Sequence, residues 1–126
     1  MYKRQTIYGA PAAYIHSIFL TEHYVVLCIW GAHLSWNGLK TVWTRNIIDS
    51  IDPLDPKKDS LWYVIDRTPA KRGVVARYTT PAFFAFHTIN AYEEETPHGT
   101  SITADAACYN DLSILHAFYY LSLIHI

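Results

Sequence analysis

The stretch Phe83–Glu95, FFAFHTINAYEEE, places one histidine among aromatic and apolar residues and ends in three carboxylates. Successive side chains of an extended strand point to opposite faces. The pattern therefore predicts a strand whose two faces carry Phe84, Phe86, Thr88, Asn90 and Tyr92, and Phe83, Ala85, His87, Ile89 and Ala91. His87 would be the one ionisable group on an otherwise apolar, buried face. Since an unpaired buried polar group costs about 1–3 kcal/mol, this imidazole needs a hydrogen-bond partner or a metal.

A second histidine stands in a similar setting. His16 lies within Ala13–Tyr24, AYIHSIFLTEHY, between apolar neighbours and close to a turn signal. The two histidines are 71 positions apart, so one strand or helix cannot bring them together. A closed fold could do so, and imidazole nitrogen suits iron, zinc or copper. His16 and His87 are therefore either candidate metal ligands or core histidines that each need a hydrogen-bond partner.

Four stretches of the chain resemble the carotenoid cleavage oxygenase family, most closely its fungal branch that acts on torulene and related apocarotenals. They are HSIFLTEHY at 16–24, WTRNI at 43–47, WYVIDR at 62–67 and FHTINAYEE at 86–94. The last is the most specific of the four. The resemblance runs from about Ala13 to Tyr120.

The resemblance implies a fold, a cofactor and a reaction. Members of the family form a seven-bladed β-propeller in which four histidines on inner strands hold a ferrous ion, Fe(2+), at the axis. His16 would take the place of the second ligand in chain order and His87 the third, with the other two beyond this piece. The implied enzyme is a dioxygenase that cleaves a double bond of a carotenoid or apocarotenoid with O2 and gives carbonyl products. Aromatic side chains such as Phe83, Phe84 and Trp43 could line a substrate tunnel, although packing in the core is the more usual role.

Length and charge limit the function classes. The chain has 126 residues, enough for at most one domain, whereas family members are several times longer, so we expect a fragment that is inactive alone. Ten basic and eleven acidic residues are interspersed, which disfavours a nucleic-acid partner. The longest apolar run, Tyr24–Trp30, is far below the ~18 residues of a membrane span. We expect a cytoplasmic protein, with peripheral membrane contact of the full-length parent left open.

The two ends differ in character from the middle. Residues 1–5, MYKRQ, match one translation frame of a transposase adapter used in sequencing libraries, and residues 121–126, LSLIHI, match its reverse complement. The hypothesis is that 6–120 is the native fragment of the propeller domain. His125 would then have no chemical role.

Between these ends the pattern is mainly that of strands, which predicts an all-β fold. The predicted strands are Tyr14–Leu20, Tyr24–Trp30, Leu61–Asp66, Gly73–Tyr78, Phe83–Glu93 and Ser101–Ala107. Val42–Ile51 shows near-helical spacing and predicts one short helical or irregular insert. Strand spacings of about 10–12 residues suit a meander or a propeller blade. A partial seven-bladed propeller of about two to three blades follows from the resemblance, because no sequence repeat is visible.

The remaining reactive side chains have plainer interpretations. Cys28 and Cys108 lie in apolar segments and are expected to be buried, reduced thiols. Glu93–Glu95 is expected to be a solvated strand end. The other histidines within residues 6–120 are expected at the surface without a metal role: His23, His33, His98 and His116.

Two alternatives to the iron oxygenase stay open. In a non-catalytic pair of propeller blades, His16 and His87 would only form hydrogen bonds in the core. A structural zinc site is the less favoured alternative, since closed zinc sites prefer thiolates at short spacings such as C-x₂-C. Neither Cys28 nor Cys108 has such a partner.

Overall fold

The structure, a computed structural model, describes residues 7–70 and 72–123. These residues form strands joined by short turns, two stretches of 3-10 helix and one α-helix. The strands are β1 (Phe19–Leu20), β2 (Tyr24–Ile29), β3 (Ser60–Asp66), β4 (Gly73–Thr80), β5 (Phe84–Thr96) and β6 (Gly99–Tyr109). The α-helix, α1, spans Ser113–Leu123. Because the structure is mostly β-sheet, the predicted all-β class is confirmed.

The strands form two antiparallel sheets. One has four strands in the order β1-β2-β3-β4, so each strand pairs with its neighbour in the chain. Cys28 of β2 faces Trp62 of β3, and Ser60 of β3 faces Thr80 of β4. The other sheet contains β5 and β6, joined by a tight turn between Thr96 and Gly99. β3, β4, β5 and β6 lie where the apolar patterns predicted them.

The first strand is shorter than predicted. Tyr14–Leu20 was expected to be continuous, but only Phe19 and Leu20 pair with β2. Upstream, Ala13 forms an isolated bridge with His33, and the Tyr14 N–H donates to the Ala32 carbonyl at 2.8 Å. The chain thus changes partner between residues 14 and 19. His16 lies in this irregular segment.

The predicted insert is present as 3-10 helix. One stretch covers Ser35–Val42 and the other Ile48–Ser50. The first begins earlier than the predicted Val42–Ile51 and is interrupted by positive φ angles at Trp36, Asn37 and Gly38. A bridge between Leu34 and Ile51 closes the insert at its base.

The core draws on both sheets and on α1. Trp30 is fully buried; its Nε1–H donates to the Tyr14 carbonyl at 3.0 Å, and its ring meets Phe84 edge to face. The other buried apolar members are Phe19, Val26, Cys28, Ala32, Val64, Ala85, Leu112 and Leu115. Burial of Cys28 is confirmed and raises the pKa of its thiol to about 12. The prediction that Cys108 is buried was wrong, since its position on β6 leaves it exposed.

Helix α1 was not predicted. It follows a turn in which the Ser113 N–H donates to Asp111 Oδ1 at 2.8 Å. Leu112 and Leu115 anchor its start in the core. No helix within the described residues is long and apolar enough to cross a membrane. Of the ends assigned to adapter sequence, 1–5 and 124–126 lie outside the described residues, and 121–123 are the last residues of α1.

Candidate metal centre

His16 and His87 lie side by side although 71 residues separate them in the chain. Their ring centroids are 5.0 Å apart and the ring planes meet at 61°. Both residues are exposed. Within the described residues, the prediction that His87 is buried was therefore wrong.

A β-bulge accounts for the placement of His87. Ala85 pairs with Cys108 and Thr88 with Ala106, so three steps along β5 match only two along β6. Phe86 and His87 therefore share one opposing residue, Ala107. Bulges of this kind bend a strand and redirect its side chains. The strict alternation predicted for β5 fails at this point, and the ring of Phe86 contacts both imidazoles at centroid distances of 5.0 Å.

The residues that follow the two histidines are bonded to each other. Ser17 Oγ lies 2.7 Å from Thr88 Oγ1, and the Thr88 N–H donates to Ser17 Oγ at 3.2 Å. The Thr88 hydroxyl donates to the Ile18 carbonyl at 3.2 Å, so the proton between the two hydroxyls belongs to Ser17. This link holds the irregular segment that carries His16 against β5. The sequence contained a signal for it, since each histidine is followed by a hydroxyl residue.

Aromatic side chains border the imidazole pair. The ring of Tyr14 lies 6.2 Å from Phe86 and 6.3 Å from His16, and Phe118 of α1 lies 5.5 Å from Phe86. Phe118 is 52% exposed, so this aromatic surface is open. Sequence reasoning did not single out Tyr14 or Phe118, because nothing local connects them to the histidines. Of the predicted tunnel residues, Phe84 is fully buried in the core and Trp43 is 69% exposed.

The separation of the imidazoles suits two ligands of one ion. Two imidazoles bound at about 2.1 Å with an angle near 90–100° would have ring centroids about 4.6–5 Å apart, and the observed distance is 5.0 Å. Over residues 7–70 and 72–123, no group of three or more histidine, cysteine or acidic side chains could hold a metal. A complete centre would need further ligands from elsewhere in a longer chain.

The surroundings of Glu93 also differ from those predicted. Its side chain is only 13% exposed, so the prediction of a solvated strand end was wrong for this residue. Its Oε2 accepts from the Thr21 hydroxyl and, at 3.2 Å, from the His23 N–H, while Oε1 accepts from His23 Nδ1. The Thr21 hydrogen bond is the main cause that lowers the pKa of Glu93, and the Glu93 hydrogen bond raises the pKa of His23.

The other histidines lie apart from the pair. His23, His98 and His116 are exposed, as predicted. His33 is half-buried, and burial lowers the pKa of its imidazole.

Comparison with known proteins places these residues in context. The family described as retinal pigment epithelial membrane protein matches residues 2–125. Torulene dioxygenase of Fusarium fujikuroi is 48% identical over 117 residues, which cover 89% of this chain and 20% of that protein. Carotenoid dioxygenase of Neurospora crassa is 40% identical over 110 residues, which cover 85% of this chain and 18% of that protein. Beta,beta-carotene 15,15'-dioxygenase of Gallus gallus is 29% identical over 107 residues, which cover 85% of this chain and 20% of that protein. The chain spans about a fifth of the length of these relatives.

Proposed function

Since the chain belongs to the carotenoid oxygenase family, we propose that it is part of a non-haem iron(II) dioxygenase that cleaves a double bond of a carotenoid or apocarotenoid. One C=C bond and one O2 would give two C=O groups, so both oxygen atoms end in the two carbonyl products. The observation that carries the proposal is the 5.0 Å separation of the His16 and His87 rings. Activity belongs to the full-length protein, because this chain is about a fifth of its relatives.

His16 and His87 would supply two of the ligands to iron. When bound, the iron supplies the redox chemistry with O2. The Ser17–Thr88 link would hold the two imidazoles at their separation, and both rings are exposed within the described residues. Tyr14, Phe86 and Phe118 offer aromatic surface beside the imidazoles, which suits a flat, conjugated, apolar substrate.

The sheet arrangement supports a partial β-propeller, and the proposed number of seven blades rests on the family. β1 to β4 form an antiparallel meander, as a blade does, and β5–β6 begin a second sheet. β1 and β5, the first strands of the two sheets, lie next to each other and run in the same direction, since Ser17 neighbours Thr88 and Thr21 neighbours Glu93. Inner strands of adjacent blades around one axis would have this relationship.

Peripheral membrane contact of the full-length protein is part of the proposal. The insert exposes two tryptophans, Trp36 at 70% and Trp43 at 69%, together with Leu39 and Val42. Lys40 lies in the same stretch, and tryptophan with basic residues is typical of surfaces at a membrane interface. Replacing both tryptophans by serine should reduce co-sedimentation of the full-length protein with phosphatidylcholine vesicles. Tyr78→Ser, at a residue 62% exposed on β4, is the control.

Iron content tests the central claim. In the full-length protein, His16→Ala and His87→Ala should each abolish retention of iron and formation of aldehyde from an apocarotenal. His98→Ala, in the exposed turn between β5 and β6, should leave both intact. The competing function is a non-catalytic blade pair whose histidines only form hydrogen bonds. Equal iron content in all three folded variants, by elemental analysis, would favour that alternative.

The native extent of the chain also remains a proposal. If residues 1–5 and 121–126 come from adapter sequence, the source DNA will diverge from the printed sequence at both boundaries. Continuous coding sequence across either boundary would contradict it.

A further inference from the structure

The carboxylate of Glu93 receives all of its donors described above from one short turn. The Thr21 hydroxyl, the His23 N–H and His23 Nδ1 converge on its two oxygens. Because Nδ1 faces a carboxylate, the proton of the neutral His23 ring is on Nδ1. A mostly buried carboxylate with three donors fixes the position of the turn more firmly than one neutral hydrogen bond would.

This turn is held on its other side as well. The Thr21 N–H donates to the Tyr24 carbonyl at 3.0 Å, and the Tyr24 N–H donates to the Thr21 hydroxyl oxygen at 3.1 Å. Arg67, just after β3, donates from Nη1 to the Thr21 carbonyl and from its N–H to the His23 carbonyl, both at 3.0 Å. Because the turn is bonded to Glu93, it fixes the end of the segment that precedes it relative to β5.

That segment, residues 17–20, directly follows His16 in the chain. It touches β5 twice, through Ser17 to Thr88 at its start and through the turn to Glu93 at its end. The sequence separations of the bonded pairs are nearly constant, 71 for Ser17–Thr88 and 72 for Thr21–Glu93. The two stretches thus run side by side without a backbone ladder between them, and side chains alone set their spacing.

We propose that Glu93 is a positioning residue for the histidine pair: it anchors the turn at 21–24 to β5 and so keeps the His16 ring at its distance and angle from His87. This role rests on the proposed iron function. Glu93 itself touches neither imidazole, and it acts through the turn and the segment 17–20.

The chemistry of the contact explains why a carboxylate is needed. An ionised carboxylate accepts at both oxygens, which matches two donors from His23 and one from Thr21. The side-chain amide of a glutamine is nearly the same size but is uncharged. Its oxygen can still accept from the Thr21 hydroxyl and the His23 N–H, and its NH₂ can donate to Nδ1 only in the tautomer of His23 that carries its proton on Nε2. Glu93→Gln therefore replaces the charge-assisted hydrogen bonds by weaker neutral ones with little change in volume. Glu94→Gln, at the exposed neighbour, is the matched control.

The test uses the full-length protein in two forms. In the iron-free form, amide hydrogen exchange should become about tenfold faster in E93Q than in wild type at residues 17–24 and at Thr88. In the protein loaded with Fe²⁺, iron affinity of E93Q should fall about tenfold or more. The electron paramagnetic resonance signal of the nitric oxide adduct of the loaded variant should also change shape. E94Q should match wild type in every measurement.

The outcomes separate this inference from the function beneath it. Faster exchange in E93Q with wild-type iron affinity and an unchanged nitric oxide signal would make Glu93 merely structural and would overturn the inference. A wild-type protein that holds no iron would overturn the proposed function. In that case hydrogen exchange still decides whether Glu93 anchors the two segments. Equal exchange rates in E93Q and E94Q would refute this anchoring role.

Discussion

Ser17 and Thr88 each follow a histidine, and their side-chain oxygens lie 2.7 Å apart. The Thr88 hydroxyl also donates to the Ile18 carbonyl. Two segments that are distant in the sequence are thereby joined one residue beyond each imidazole. Stability and metal retention should both depend on this link.

Thr88→Val removes the hydroxyl from this link while keeping the branched shape of the side chain. We expect a loss of about 1–2 kcal/mol in the free energy of unfolding, because the Ser17 hydroxyl and the Ile18 carbonyl lose a partner. Urea unfolding of the full-length protein measures the loss. Thr79→Val, the same change at an exposed residue of β4, should stay within about 0.5 kcal/mol of wild type. Equal losses in the two variants would show that the link contributes nothing.

The contact between His23 and Glu93 should make stability depend on pH. The Glu93 hydrogen bond raises the pKa of His23, so its contribution is complete below the ordinary pKa of about 6.5 and is lost as pH rises through the raised value. The pKa of Glu93 is lowered, so its contribution is present above about 4.5 and is lost as pH falls through the lowered value. The pair should stabilise most between roughly pH 4.5 and 6.5.

His23→Gln should therefore lower the thermal unfolding midpoint of the full-length protein more at about pH 6 than at about pH 9. His98→Gln, at an exposed histidine in the β5–β6 turn, should show the same small effect at both. A His23→Gln effect that does not vary with pH would mean that the imidazole is not charged in this contact.

Gly31 is confined by two neighbours at the end of β2. Its N–H donates to the Phe83 carbonyl at 2.9 Å, and a Cβ at this position would lie 3.0 Å from Leu54 Cγ and 3.3 Å from that carbonyl. Gly31→Ala should cost about 1–3 kcal/mol of unfolding free energy in urea. In a Leu54→Ala background the same change should cost less, because the closest clash is gone. An identical cost in both backgrounds would contradict this account.

The 126-residue chain expressed alone should aggregate or fold poorly. Within the described residues β6 pairs only with β5, which leaves its other edge open, and large apolar side chains such as Trp36, Val42 and Ile89 are exposed. Size-exclusion chromatography and thermal unfolding would measure this, with the full-length protein as the reference. A monodisperse chain with a cooperative transition would contradict the expectation.

The sequence was informative where structure follows from local pattern. Apolar residues bounded by turn signals located β3, β4 and β6 to within a few residues, and the phrase around His87 identified β5. The two histidines were selected as a pair from residue type and resemblance, and their binding of iron stays a prediction. Local pattern also explains the burial of Cys28, which lies in a strand with apolar residues on both sides.

Other features depended on contacts that no local pattern contains. The bulge at Phe86 and His87 arises from the register of β5 against β6, which the alternation of one strand cannot reveal. The burial of Glu93 depends on Thr21, 72 residues away. Helix α1 is an exception, because Asp111 is a local signal for the start of a helix and its carboxylate accepts from the Ser113 N–H.

The paired contacts between residues 17–23 and 88–93 close the intervening chain into one large loop. The entropic cost of closing a loop grows only with the logarithm of its length, so a few added or lost residues change that cost by little. The exposed turn at Lys57 and Lys58, where both N–H groups bond back to Asp55, lies inside this loop. Insertions there should leave the imidazole pair in place. The interval between the two histidines is thus free to drift during evolution, and distant homologues are better recognised by the two local phrases than by their spacing.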